Sequence, residues 1–149
     1  MITYKNFRDF FMTKQLFAIL LLFLFTHVVH ANESDILEKV ESSARSWLGF
    51  VDREQYQESW ENSSSLLRAK TPEATWIKSM TTLRSSRGAI NTRFIATAGA
   101  TKSLSGFPDG DYVVLQFYTT FAGKGLILET VTLAKAPDGT WQVCDYAIK

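Results

Sequence analysis

The sequence predicts an α+β domain: three N-terminal helices packed on one face of a four-stranded antiparallel meander. Two observations carry this expectation. From residue 36 to residue 83, apolar residues recur three and four apart, the period of an amphipathic helix. From residue 89 onward, and most clearly after residue 110, the chain becomes rich in valine, threonine, tyrosine and phenylalanine, in short runs separated by turn residues. Runs that close together pair as antiparallel hairpins, because a parallel crossover needs about a dozen residues or more. Helices gathered on one face of such a sheet make an α+β domain.

The chain begins with a segment that reads as a secretion signal. Leu16 to Phe25 is an unbroken apolar core, preceded by Lys5, Arg8 and Lys14, and Val29-His30-Ala31 offers a cleavage site after Ala31. Met12 is an alternative start, since Met12-Thr13-Lys14 still supplies a basic end. The apolar core falls short of the roughly 20 residues a membrane span needs. The expected organisation is therefore residues 1–31 as signal peptide and 32–149 as one domain, periplasmic or secreted after cleavage. Its contact with a membrane would end when the signal is cut.

The first helix is expected along Ile36, Val40, Ala44, Trp47, Leu48 and Val51. Asp52 to Gln55 reads as the next helix start, with Asp52 as cap and Gln55 at the reciprocal position. Tyr56, Trp60, Ser63 and Leu67 continue that helix on one face. Thr71-Pro72-Glu73 opens the third: a cap, a proline at the first helical position and an acid in the first turn. Trp76, Ile77, Met80 and Leu83 form its buried face. Trp47, Trp60 and Trp76 are expected as core anchors, one per helix.

Strands are expected over residues 89–98, 111–121, 126–135 and 140–148. Between the last three lie Ala122-Gly-Lys-Gly125 and Ala136-Pro-Asp-Gly139, both turn chemistry. Val113, Leu115, Phe117, Thr119 and Phe121, with Leu126, Leu128, Thr130, Thr132 and Ala134, and with Trp141, Val143, Asp145 and Ala147, read as the face against the helices. The alternate set, including Tyr118, Glu129, Cys144 and Tyr146, reads as the outer face. Two- or four-residue turns would then line up Tyr118, Glu129 and Tyr146 in one lateral row. Val114, Ile127, Val131, Leu133 and Ile148 would make that outer face apolar enough to mark a partner surface, such as a homodimer packed sheet to sheet.

Composition narrows the chemistry. Both histidines, His27 and His30, lie in the signal segment, so the mature domain has none. Histidine-dependent nucleophilic machinery is excluded, and neither a metal site nor a cofactor is expected. Cys144 is the only cysteine, so no internal disulfide forms, and a buried inert thiol is expected. Removing Lys5, Asp9, Arg8 and Lys14 with the signal moves the formal net charge from +1 to −1. A domain without basic excess is a poor nucleic-acid partner.

Several stretches resemble a known family. They are Ser46 to Trp60 (Ser-Trp-Leu-Gly-Phe-Val-Asp-Arg-Glu-Gln-Tyr-Gln-Glu-Ser-Trp), Phe107 to Val114, Phe121-Ala-Gly-Lys124, Glu129-Thr-Val131, and Asp138-Gly-Thr-Trp141 with Tyr146. Together, over residues 38–149, they resemble the bacterial domain-of-unknown-function family numbered four thousand and nineteen. That resemblance implies export and brings no activity. It singles out Arg93, Tyr112, Lys124, Glu129, Thr130 and Tyr146. This chain departs from the family pattern at Cys144 and Asp145, where small residues are expected, and at Ser86-Arg87, where a proline-containing pair is expected. The helix order and the Trp-Leu-x-x-Val-Asp pattern also resemble the curved NTF2-like/cystatin-like cone, a fold that hosts both enzymes and binding modules.

The candidate binding residues are Arg93, Tyr118, Lys124, Glu129 and Tyr146; no catalytic residue is assigned. Glu129 sits mid-strand among apolar neighbours. It reads either as a general base with Tyr118 and Tyr146 as donors, or as one half of an ion pair with Arg93 or Lys124. Arg93 reads as an anion clamp or as a charge guarding a strand edge. Asp145 reads as a pocket acid or a satisfied structural one. The expected function is a non-enzymatic binding module of the bacterial envelope, taking an envelope protein or a small apolar ligand. The alternative is a small pocket enzyme of isomerase or hydratase type, which needs an acid lining a cavity of about 300 Å³ or more.

Overall fold

The first helix, α1, runs over residues 33–52 of a computed structural model that describes residues 33–149. The expected signal segment, with His27, His30 and Ala31, lies outside those residues. Residues 38–149 form one compact unit. Its stripe Val40, Ala44, Trp47, Leu48 and Val51 is buried, as the helical period predicts, whereas Ile36 is exposed.

The expected second helix is two short ones, α2 (Tyr56–Glu61) and α3 (Ser65–Lys70). Ser64 divides them: its backbone is extended, and its hydroxyl accepts from the Leu67 N–H as an N-cap. Asp52 is not a cap. It ends α1, and a turn follows in which Glu54 takes the left-handed conformation (φ 60°). α4 (Glu73–Arg84) starts at Pro72 without a side-chain cap, while Thr71 closes α3 instead. The tryptophans stitch these helices together. Trp47 Nε1 donates to the Ser59 carbonyl (2.7 Å) and the Ser63 hydroxyl (2.9 Å). Trp76 Nε1 donates to Ser59 Oγ (2.9 Å), and Trp60 Nε1 to the Thr71 carbonyl (2.8 Å).

The sheet is the antiparallel meander β1 (Ile90–Thr101), β2 (Tyr112–Phe121), β3 (Gly125–Lys135) and β4 (Trp141–Ile148), in that spatial order. The helices cover one face, where Val113, Leu115, Phe117, Val131, Leu133, Val143 and Tyr146 join the α1 and α4 stripes in the main core.

The face assignment is corrected on two strands. Phe121 pairs with Gly125, so the β2–β3 loop is the three residues 122–124. An odd loop puts odd residues opposite odd ones: Thr119 faces Ile127, Phe117 faces Glu129 and Leu115 faces Val131. Ile127, Glu129, Val131 and Leu133 therefore point at the helices, not away from them. Gly125 makes this loop feasible by adopting φ +70°. On β4 the register slips by one residue at Cys144, so Leu133 meets Val143 while Val131 meets Tyr146. The slip turns both Val143 and Tyr146 inward and leaves Asp145 exposed, with no place in the core. Cys144 is buried on the opposite face with Tyr112 and Ala134, beneath Leu66, Leu104 and Phe107. Burial pushes its thiol up to about 12, which leaves it protonated and unreactive.

Candidate functional site

Beneath the ends of α1 and α4, four charged side chains meet on the sheet. Glu129 projects inward from β3 and is 0 % exposed. Arg93 reaches it across β2 from the edge strand β1, placing Nε 2.7 Å from Oε2 and Nη2 3.2 Å from Oε1. Arg84, the last residue of α4, places Nη1 3.3 Å from Oε1. Asp52 closes the group from α1: it accepts from Arg93 Nη1 (2.6 Å), Arg93 Nη2 (3.0 Å) and Arg84 Nη2 (3.0 Å). Each arginine thus bridges both acids, and two positive charges balance two negative ones.

Two hydroxyls complete the cage around Glu129. The Tyr146 phenol donates to Oε1 (2.5 Å), and the Thr119 hydroxyl donates to Oε2. The carboxylate then receives five donors, from Arg84, Arg93 twice, Thr119 and Tyr146. A carboxylate offers about four lone-pair positions, so none is left for a substrate. The surroundings fix the donors in turn. The Tyr146 ring packs on Trp47 with centroids 5.4 Å apart, and the Arg84 guanidinium lies 4.8 Å over the Phe121 ring.

Burial would raise the Glu129 carboxyl, but the Arg93 hydrogen bonds and charge, with Thr119 and Tyr146, outweigh it and hold the group below its ordinary value. Burial would lower the Arg93 guanidinium, but its bonds to Asp52 and Glu129 and their charges outweigh that and leave it still more firmly protonated than usual. Burial together with the Glu129 charge pushes the Tyr146 phenol well up, so it serves as a donor and not as a phenolate. Glu129 and Arg93 therefore both carry their charges at neutral pH.

Of the residues expected from sequence, Arg93, Glu129 and Tyr146 come together here. Tyr118 does not: it lies on the opposite face of the sheet, 43 % exposed, with its ring edge-on to Phe94 at 5.8 Å. The expected row of Tyr118, Glu129 and Tyr146 fails because the odd loop inverts β3 relative to it. Lys124 sits exposed at the tip of that loop and makes no ion pair with Glu129. Asp52, Arg84 and Thr119 were not expected. Arg84 continues the buried stripe Trp76–Met80 by one more turn, and Asp52 continues Ala44–Leu48 in the same way. A charge at the next step of an apolar stripe is the signal that marks both.

A cleft of about 230 Å³ opens elsewhere, between α3 and the turns at Pro108–Gly110 and Ala136–Pro137, with Tyr112, Lys135 and Gln142 in its walls. None of the candidate residues lines it. No group of three or more His, Cys, Asp or Glu among the described residues is placed to hold a metal ion. No helix among them is long and apolar enough to cross a membrane.

Comparison with known proteins gives three findings. The family model "Protein of unknown function (DUF4019)" matches residues 43–146. No curated protein matches the chain. Among solved structures, a candidate dehydratase of the NTF2-like family from Streptomyces avermitilis is similar at 13 % identity, over 78 % of this chain and 96 % of that one, with a TM-score of 0.49.

Proposed function

The chain belongs to the family of unknown function DUF4019, and we propose that it acts as a non-enzymatic binding module of the bacterial envelope, exported by its N-terminal segment. The observation that carries this reading is the state of Glu129. The competing isomerase or hydratase reading needs an acid that a substrate reaches and that can exchange a proton. Glu129 is fully buried, every acceptor position is used, and its charge is balanced by arginines that themselves hold Asp52. Such a group ties helices to sheet and turns nothing over.

The partner surface in this reading is the sheet face away from the helices. Phe94, Tyr118 and Leu126 stand there at 53 %, 43 % and 62 % exposure, on three adjacent strands. Large apolar side chains grouped on an open sheet mark association surfaces in soluble proteins. Sheet-to-sheet pairing of two copies is the simplest partner for a face of this kind.

Sedimentation equilibrium tests it. The unchanged chain is expected to form a concentration-dependent dimer, and the double variant Phe94→Ser, Leu126→Ser to stay monomeric with an unchanged far-ultraviolet circular dichroism spectrum. A strict monomer that also retains no ligand in native mass spectrometry and crosslinks to no envelope protein would sink the proposal.

A further inference from the structure

The charged network has two ends of different character. At the inner end Glu129 is sealed. At the outer end Asp52 remains 27 % exposed at the side chain and is the most open of the four. Three N–H groups from two guanidiniums converge on its two oxygens at 2.6–3.0 Å. That donor set is a fork shaped for one planar carboxylate. Without Asp52, two arginines would face one glutamate, leaving one positive charge that a monoanion neutralises.

Asp52 is an unfavourable occupant by local rules. It ends α1, where the helix dipole is negative and repels an acid. The residues that follow it form a tight turn through left-handed Glu54, a conformation that costs a residue with a Cβ. A second group within reach of these charges has no internal use. Tyr56 as a residue is 8 % exposed, yet its hydroxyl has no hydrogen-bond partner among the described residues and is not sealed from solvent. It lies close enough to Arg84, Asp52 and Glu54 for their charges to act on it.

We propose that the outer end of the Arg84–Arg93 pair is a binding site for a small carboxylate, closed in the free protein by the chain's own Asp52. A rotation of the Asp52 side chain into solvent frees the three N–H donors, and the Tyr56 hydroxyl supplies a further donor to the incoming group. The exchange swaps one carboxylate for another at the guanidiniums, so the charge balance there and the inner contacts to Glu129 are preserved while Asp52 carries its charge into solvent. The inference rests on reading the network as non-catalytic; turnover of a bound carboxylate would overturn that reading without removing the site.

Calorimetric titration with acetate and succinate, at constant ionic strength set with chloride, tests the proposal on the full chain and on Asp52→Ser. The variant is expected to bind acetate saturably and at least tenfold more tightly than the unchanged chain. Adding Tyr56→Phe to the variant is expected to weaken binding several-fold. If Asp52→Ser is unfolded in chloride, its refolding in acetate but not in chloride is the supporting result. Absence of saturable binding, equal affinity with and without Asp52, or a variant that stays unfolded in both salts overturns it.

Discussion

Glu129 shows how a single side chain can be both costly and indispensable. Burying a carboxylate is unfavourable, and a buried ion pair is not stabilising merely by being present. Taking one partner away is a different matter, because the remaining charges stay buried without compensation. Glu129→Gln is therefore expected to lower unfolding stability by about 3–5 kcal/mol in urea titrations. Tyr146→Phe removes one hydrogen bond to a charged acceptor and is expected to cost about 1.5–3 kcal/mol. The pH dependence follows from the two shifts. The Glu129 carboxyl is lowered on folding, so its stabilisation is present above the unfolded value near 4.5 and is lost as pH falls through the folded one. The Tyr146 phenol is raised, so its contribution is complete below 10.0 and fades as pH climbs through the folded value. Stability measured against pH should show an acid limb below about pH 4.5 that Glu129→Gln flattens.

At the scale of elements, the length of one loop decides what the network is made of. Both alternating sets of β3 are apolar enough to be buried: Leu126 and Leu128 on one side, Ile127, Val131 and Leu133 on the other. Pattern alone could not choose between them. The three-residue loop at 122–124 did, and it carried Glu129 inward with the second set. The helix and strand types were legible because their periods are long and regular. What was not legible were two parity effects, an odd loop and a one-residue slip at Cys144, and, separately, a helix broken by the Ser64 cap. Arg93, Glu129 and Tyr146 were visible as unusual residues on strands, but their meeting required both parity effects together. Inserting one glycine between Gly123 and Lys124 makes the loop even. It should either strain the hairpin or expose Glu129, and circular dichroism melts are expected to show a loss of several kcal/mol, the scale of a broken buried ion pair. Gly123 itself packs against the chain before β1, and a Cβ there would lie 3.1 Å from the Arg87 carbonyl oxygen. Gly123→Ala should cost about 1–3 kcal/mol, read from urea midpoints.

For residues 38–149 as a whole, the network is a tie between layers. Asp52 belongs to α1, Arg84 to α4, Arg93 to β1 and Glu129 to β3, so none of these elements can leave without stranding charge. Unfolding should be a single transition, with circular dichroism and tryptophan emission coincident in urea. Separate midpoints would show that the layers part independently. The sheet's two edges differ: the backbone N–H of Ser64, ahead of α3, bonds the Val143 carbonyl of β4 (2.9 Å), whereas β1 has no further strand beside it among the described residues. One contact gives this architecture an unplanned convenience. Tyr146 donates its proton to Glu129 while its ring lies against Trp47, whose indole N–H is held by Ser59 and Ser63. Excitation energy passed from that phenol to that indole makes the protein its own optical gauge. The chain holds other tyrosines and tryptophans, so the reading is the difference in native emission between the unchanged chain and Tyr146→Phe, and it needs no dye.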